Sequence, residues 1–160
     1  MDKVTILSRK KFLAYLPDVV EEKVVAIRIG DKAPVKDKIS DNYADTLSLA
    51  FYDEWTFAET LNRNTPLGSN RLTIEDKVII DNFIDRYVDC YFVVHCEQGI
   101  SRSAAIGYYI LKRLGYIEEL NEKKASALYF PNIEVYGLLT GKPYTSKTAT
   151  ALRREIDKPE

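Results

Sequence analysis

Cysteine and histidine are nearly missing from this chain: two cysteines and one histidine stand among 160 residues. So few cysteines exclude a disulfide-built scaffold. Cys90 and Cys96 fall on one expected strand. At about 3.3 Å per residue their Cα atoms stand roughly 20 Å apart, too far to bridge. One histidine and two cysteines do not by themselves complete a structural zinc site. A charge excess is missing as well. The chain sets 23 Lys and Arg against 24 Asp and Glu, for a net charge of −1, which speaks against general nucleic-acid binding. No apolar run approaches the roughly 20 residues of a membrane span. The opening MDKVTILSRKKFLAYL breaks at Ser8-Arg9-Lys10-Lys11, unlike a signal peptide. These absences lead to the expectation of a cytoplasmic protein with no membrane and no nucleic-acid partner. Internal repeats and low-complexity tracts are absent too. The length suits one domain, residues 1–160, with a substantial core.

What the chain does contain is an alternation of short apolar strands and helices. Lys3 to Leu7 reads as a strand, and Ser8 caps a helix that Pro17 stops. Lys23 to Ile29 is β-branched and closes at Gly30. Asp31 to Asn42 reads as loop, and Thr46 to Phe51 as a third strand ending in Tyr52-Asp53-Glu54. Glu59 to Leu72 is rich in Asn, Pro, Gly and Ser. Its length marks a lid, a binding loop or an insertion. Thr73 then caps a helix on which Val78, Ile79, Phe83, Ile84 and Val88 recur at helical spacing. Tyr91 to Val94 is a buried strand, and Arg102 to Leu114 a helix stopped at Gly115. Glu118 to about Leu128, Asn132 to about Thr140 and Thr148 to about Ile156 complete the helices. The pattern predicts an α/β domain with a central, mostly parallel sheet of about four or five strands, covered on both faces by helices.

One stretch carries chemistry: VVHCEQGISRSAAIG, residues 93–107. Open parallel sheets bind ligands at the carboxyl ends of their strands. Cys96 ends such a strand and immediately precedes a helix, whose free N–H groups favour an anion. A cysteine placed there, beside an arginine, is favoured as the thiolate and acts as a nucleophile. Glu97, Gln98, Gly99, Ile100 and Ser101 supply successive backbone N–H groups that form a nest for phosphate. Gly99 opens backbone conformations closed to other residues. The planar fork of Arg102 matches two phosphate oxygens, and Ser103 can donate to the Cys96 sulfur as it leaves. His95 faces away from its neighbour Cys96 along the strand, so it cannot readily deprotonate it. A hydrogen bond from His95 to the loop backbone is the expected role. With no second histidine in the chain, a Cys-His hydrolase is excluded.

Together His95-Cys96-Glu-Gln-Gly99-Ile-Ser-Arg102-Ser103 resembles the HC-x5-R-[ST] signature of the cysteine-dependent protein tyrosine phosphatases. The HCxxGxSRS form resembles the dual-specificity subgroup in particular. The resemblance covers about Val24 to Tyr116 and implies a phosphocysteine intermediate, no metal and no cofactor. It also implies a phosphorylated protein or peptide substrate, and phosphate or another oxyanion held in the loop. Pro131-Asn-Ile-Glu-Val-Tyr136 resembles a segment opening a late helix in small bacterial members.

Such an enzyme needs a proton donor for the leaving oxygen, worth about 10²–10⁴-fold. Family members use an aspartate after another sheet strand. Phe51-Tyr52-Asp53 makes Asp53 the candidate, with Glu54 the near alternative and Asp41 and Asp45 distant ones. Asp53 lies farther ahead of Cys96 than in many relatives, and Glu59 to Leu72 accounts for the excess as an insertion. Trp55 and Phe57 either wall the substrate or pack their own loop. Three functions compete. The first is hydrolysis of phosphotyrosine, with phosphoserine and phosphothreonine as further candidates. The second is sulfurtransfer, against which stands a loop longer than usual for that class. The third is a catalytically weak phosphate-binding module of the same fold. Glu97 and the lack of lysine in the loop disfavour inositol lipids.

Overall fold

The structure, a computed structural model, describes residues 1–17, 23–34, 37–53, 71–142, 144–145 and 147–160. Among the described residues four strands form one sheet: β1 (Val4–Ser8), β2 (Val24–Gly30), β3 (Thr46–Ala50) and β4 (Tyr91–Cys96). All are parallel, in the order β1-β4-β2-β3. The near-continuous apolar runs of β2 and β4 suit strands buried on both faces. Period-two alternation sends Val25, Ile27, Ile29, Phe92, Val94 and Cys96 to one face. Val24, Ala26 and Val93 go to the other.

The first face is covered by α2 (Ile74–Arg86), α3 (Arg102–Leu114), α4 (Ile117–Ala125), α5 (Ile133–Leu139) and α6 (Ala149–Asp157), which close the larger core. Helix α3 is buried along Arg102–Leu111. It lies close on β1 because Gly107 has no side chain: a Cβ there would fall 2.8 Å from the Ile6 side chain. The second face is thinner. Phe12 of α1 (Arg9–Ala14) and Tyr43 stack at 5.4 Å and cover β2 and β4.

The start and stop signals act as their chemistry predicts. The Ser8 side chain accepts from the Lys11 amide at the start of α1. Thr73 and Asp76 form a reciprocal capping box at α2. Gly115, at φ 81°, ends α3. Two expectations need correction. Helix α4 ends at Ala125 rather than near Leu128, because Ala127 turns to φ 58° and cannot continue it. On α2 the buried stripe is Ile80, Phe83 and Ile84, while Val78 and Ile79 are exposed; Val88, also exposed, lies beyond the helix end at Arg86. The stripe turned to the core is narrower than the apolar pattern. Glu59 to Asn70 lie outside the described residues.

Register places the site. Ser8 pairs level with Cys96, His95 with Arg28, and Gly30 with Ala50. The carboxyl ends of all four strands therefore share one edge, and β4, last in sequence, lies between β1 and β2. The segments leaving that edge carry Arg9, Asp31, Asp53 and the loop Glu97–Ser101. Among the described residues no helix is long and apolar enough to cross a membrane.

Candidate active site

The loop between β4 and α3 is held from outside by its carbonyl groups. The Glu97 carbonyl accepts from the Arg9 amide at 3.1 Å, and that of Ile100 from the Phe130 amide at 2.9 Å. The Ser101 carbonyl accepts from the amides of Asn132 and Ala105 at 3.1 and 3.0 Å. Among the described residues the amides of Gln98, Ile100 and Ser101 have no acceptor. Gly99 is required twice over. Its φ is +70°, and an added Cβ would lie 2.4 Å from the Ser8 nitrogen and 2.5 Å from the Leu7 carbonyl carbon.

Cys96 is buried, 2% exposed, and unbridged. Its sulfur accepts from the Gly99 amide at 3.3 Å and lies 3.1 Å from the Ser103 hydroxyl. Arg102, at the first position of α3, is 6% exposed. Its Nη1 donates to the Phe51 carbonyl and to the Asp31 carboxylate, each at 2.8 Å. Its Nε is buried and, among the described residues, has no hydrogen-bond partner. A cation at the positive end of a helix is disfavoured by the dipole, and the Asp31 carboxylate offsets part of that cost. A cleft of about 470 Å³ opens beside this pair, with Arg9, Lys32, Glu97 and His95 on its walls.

His95 points to the opposite face of the sheet, as strand alternation requires, and its ring lies 4.3 Å from that of Phe12. Burial pushes its pKa down to about 4, so the ring is neutral near pH 7. Arg28 Nε donates to His95 Nε2 at 3.1 Å. An arginine cannot accept, so the proton sits on Nδ1, which faces the Cys96 carbonyl at 3.3 Å. Arg28 continues through Nη1 to Asp37 and Ser40, both at 3.1 Å. The chain Asp37–Arg28–His95 thus ends on the carbonyl group at the root of the loop.

Asp53 reaches the loop from the end of β3. Its Oδ1 accepts from the Ser101 hydroxyl at 2.7 Å and from Asn132 Nδ2 at 2.9 Å. The distant alternatives are elsewhere. Asp45, ahead of β3 at the far end of that strand, accepts from the Tyr87 hydroxyl at 2.5 Å. Asp41 lies in the short 3₁₀ turn Ser40–Asn42. Glu54, Trp55 and Phe57 lie outside the described residues. Among the described residues no three His, Cys, Asp or Glu side chains come together as a metal site.

No protein-family model and no curated protein sequence matches the chain. One solved structure that resembles it is that of human DUSP28, a dual-specificity phosphatase. The likeness spans 97% of this chain and 96% of that one, at 14% sequence identity and a TM-score of 0.47.

Three residues of the site escaped sequence reasoning. Arg28 had a legible signal, a lone cation inside the apolar run VVAIRIG, where burial requires partners. Asn132 was visible as a helix start but not as a neighbour of Asp53. Asp31 had no signal, since its partner is distant in sequence.

Proposed function

We propose that this chain, as a single catalytic domain, is a cysteine-dependent phosphatase acting on phosphotyrosine in proteins or peptides. Phosphoserine and phosphothreonine are further candidate substrates. The observation that carries the reading is the setting of Cys96. A buried sulfur accepts from the Gly99 amide and lies beside the Ser103 hydroxyl at the start of a helix, under a loop whose Glu97, Ile100 and Ser101 carbonyls are engaged outside and whose Gln98, Ile100 and Ser101 amides have no acceptor among the described residues. A buried arginine beside it has, at Nε, no partner among the described residues. An unmade hydrogen bond on a buried charged group costs about 1–3 kcal/mol or more, and an oxyanion in the loop removes that cost.

In this reading the phosphate dianion lies on the loop amides and Arg102. The Cys96 sulfur attacks phosphorus in line, the bond from phosphorus to the leaving oxygen breaks, and Asp53 gives that oxygen a proton. The developing charge on the equatorial oxygens is stabilised by donors already in position. Water then attacks the phosphocysteine while the Asp53 carboxylate takes its proton. The sulfur departs as thiolate, stabilised by the Ser103 hydroxyl and the Gly99 amide. His95 and Arg28 hold the root of the loop and take no part in proton transfer.

The test is hydrolysis of para-nitrophenyl phosphate with EDTA present, under reducing conditions and across mildly acidic to neutral pH. Turnover by the wild type that vanishes in Cys96→Ser supports the reading. A folded wild-type protein that captures phosphate without turnover would point to a phosphate-binding module instead.

A further inference from the structure

The strap formed by Phe130, Pro131 and Asn132 runs beside the phosphate loop and is tied to it twice, Phe130 amide to Ile100 carbonyl and Asn132 amide to Ser101 carbonyl. Its far side is held by Arg153, whose Nη2 donates to the Pro131 carbonyl at 2.7 Å and whose guanidinium lies 3.8 Å from the Phe130 ring centre. Asn132 itself is 1% exposed. Its Oδ1 accepts from the Val135 amide at 3.0 Å and so caps α5. That bond decides the orientation of the side-chain amide. With Oδ1 engaged by a backbone donor, the group facing Asp53 at 2.9 Å is the NH₂. The Ser101 hydroxyl meets the same Asp53 oxygen at 2.7 Å. With two donors on Oδ1, that oxygen is the acceptor whenever the carboxyl group is neutral, and the transferable proton then belongs on Oδ2.

We propose that Asn132 is the positioning residue for the general acid: it couples the place of the Asp53 carboxyl group to the phosphate loop and directs the acid proton to Oδ2. This rests on the phosphatase reading above. Its effect on the reaction passes through Asp53, to which its Nδ2 donates. The residue is suited to this task because three of its bonds leave in fixed directions, to α5, to the loop and to the acid. A displacement of about 1 Å in a catalytic group costs on the order of 10²-fold in rate.

The test uses Asn132→Ser and Asn132→Asp, both of which keep a side-chain oxygen at the cap of α5 and remove the donor to Asp53. Turnover is compared on para-nitrophenyl phosphate, whose leaving group needs little protonation, and on phenyl phosphate, whose leaving group needs it. Asn132→Ser is expected to slow phenyl phosphate hydrolysis roughly 10- to 100-fold, and para-nitrophenyl phosphate hydrolysis much less. Asn132→Asp places a second carboxylate beside Asp53 and is expected to move the alkaline limb of the kcat profile to higher pH. In an Asp53→Asn background the Asn132 substitutions are expected to cost nothing further. Equal losses on both esters, or losses that persist with Asp53→Asn, overturn the proposal while leaving the phosphatase reading intact. Wild-type protein that hydrolyses neither ester overturns both.

Discussion

The chain has a single histidine, which makes its contribution to acid stability separable. His95 is 1% exposed, and burial lowers its pKa from 6.5 to about 4. Below pH 6.5 the unfolded chain takes up a proton on this ring while the folded chain does not. The unfolded state then binds more protons, so stability falls as the pH falls. The loss accumulates between about pH 6.5 and pH 4 at about 1.4 kcal/mol per pH unit and is flat below. Over that window it amounts to about 3 kcal/mol, a large share of a typical domain's stability. The assay is urea unfolding at intervals from pH 7.5 to 4, on wild type and on His95→Gln, which keeps an acceptor toward Arg28 and cannot titrate. The variant is expected to be less stable at pH 7.5 and to lose less on acidification, with the difference shrinking by about 3 kcal/mol. Parallel stability curves for the two proteins would refute the claim that His95 is buried in its neutral form.

Three further substitutions probe the loop. Gly99→Ala must hold alanine at φ +70° against the backbone of Leu7 and Ser8. It should cost at least 1–2 kcal/mol, roughly the penalty for a left-handed residue, and about 10²-fold in activity, read by urea unfolding and turnover together. Ser103→Ala removes the hydroxyl 3.1 Å from the sulfur. It should slow phosphocysteine breakdown about 10²-fold, visible as a rapid burst of nitrophenol followed by a slow steady state. Arg102→Lys keeps the charge but loses the planar guanidinium, whose Nη1 alone meets both Phe51 and Asp31. A fall in kcat/KM of roughly 10²-fold or more is expected, and a fall of less than threefold would show that charge alone suffices.

The parts of the molecule legible in sequence are those governed by local chemistry. The apolar runs of β2 and β4, the Ser8 and Thr73 caps, the Gly115 stop and the Cys96-to-Ser103 loop declare themselves within a few residues of one another. The order β1-β4-β2-β3 does not, because pairing depends on which strand ends come level. The narrow buried stripe of α2 is a tertiary outcome too: Val78 and Ile79 are as apolar as Ile80, and only the position of the helix on the core selects among them. The site divides in the same way. Cys96, Gly99, Arg102 and Ser103 lie within one loop and helix start. Asp53 was reachable because it follows a strand toward the same edge. Asp31, Arg28 and Asn132 join through contacts spanning 71, 67 and 79 positions, which no local pattern encodes.

Covalent catalysis by Cys96 leaves a chemical trace. It is tested most directly by quenching the protein with acid during turnover of para-nitrophenyl phosphate and mapping the adduct by mass spectrometry, with Ser103→Ala included to prolong the intermediate. One phosphoryl group is expected on Cys96, absent from Cys90 and from the Cys96→Ser protein. Undiminished turnover by Cys96→Ser, or steady turnover with no phosphoryl group on Cys96 in either the wild type or Ser103→Ala, would contradict covalent catalysis.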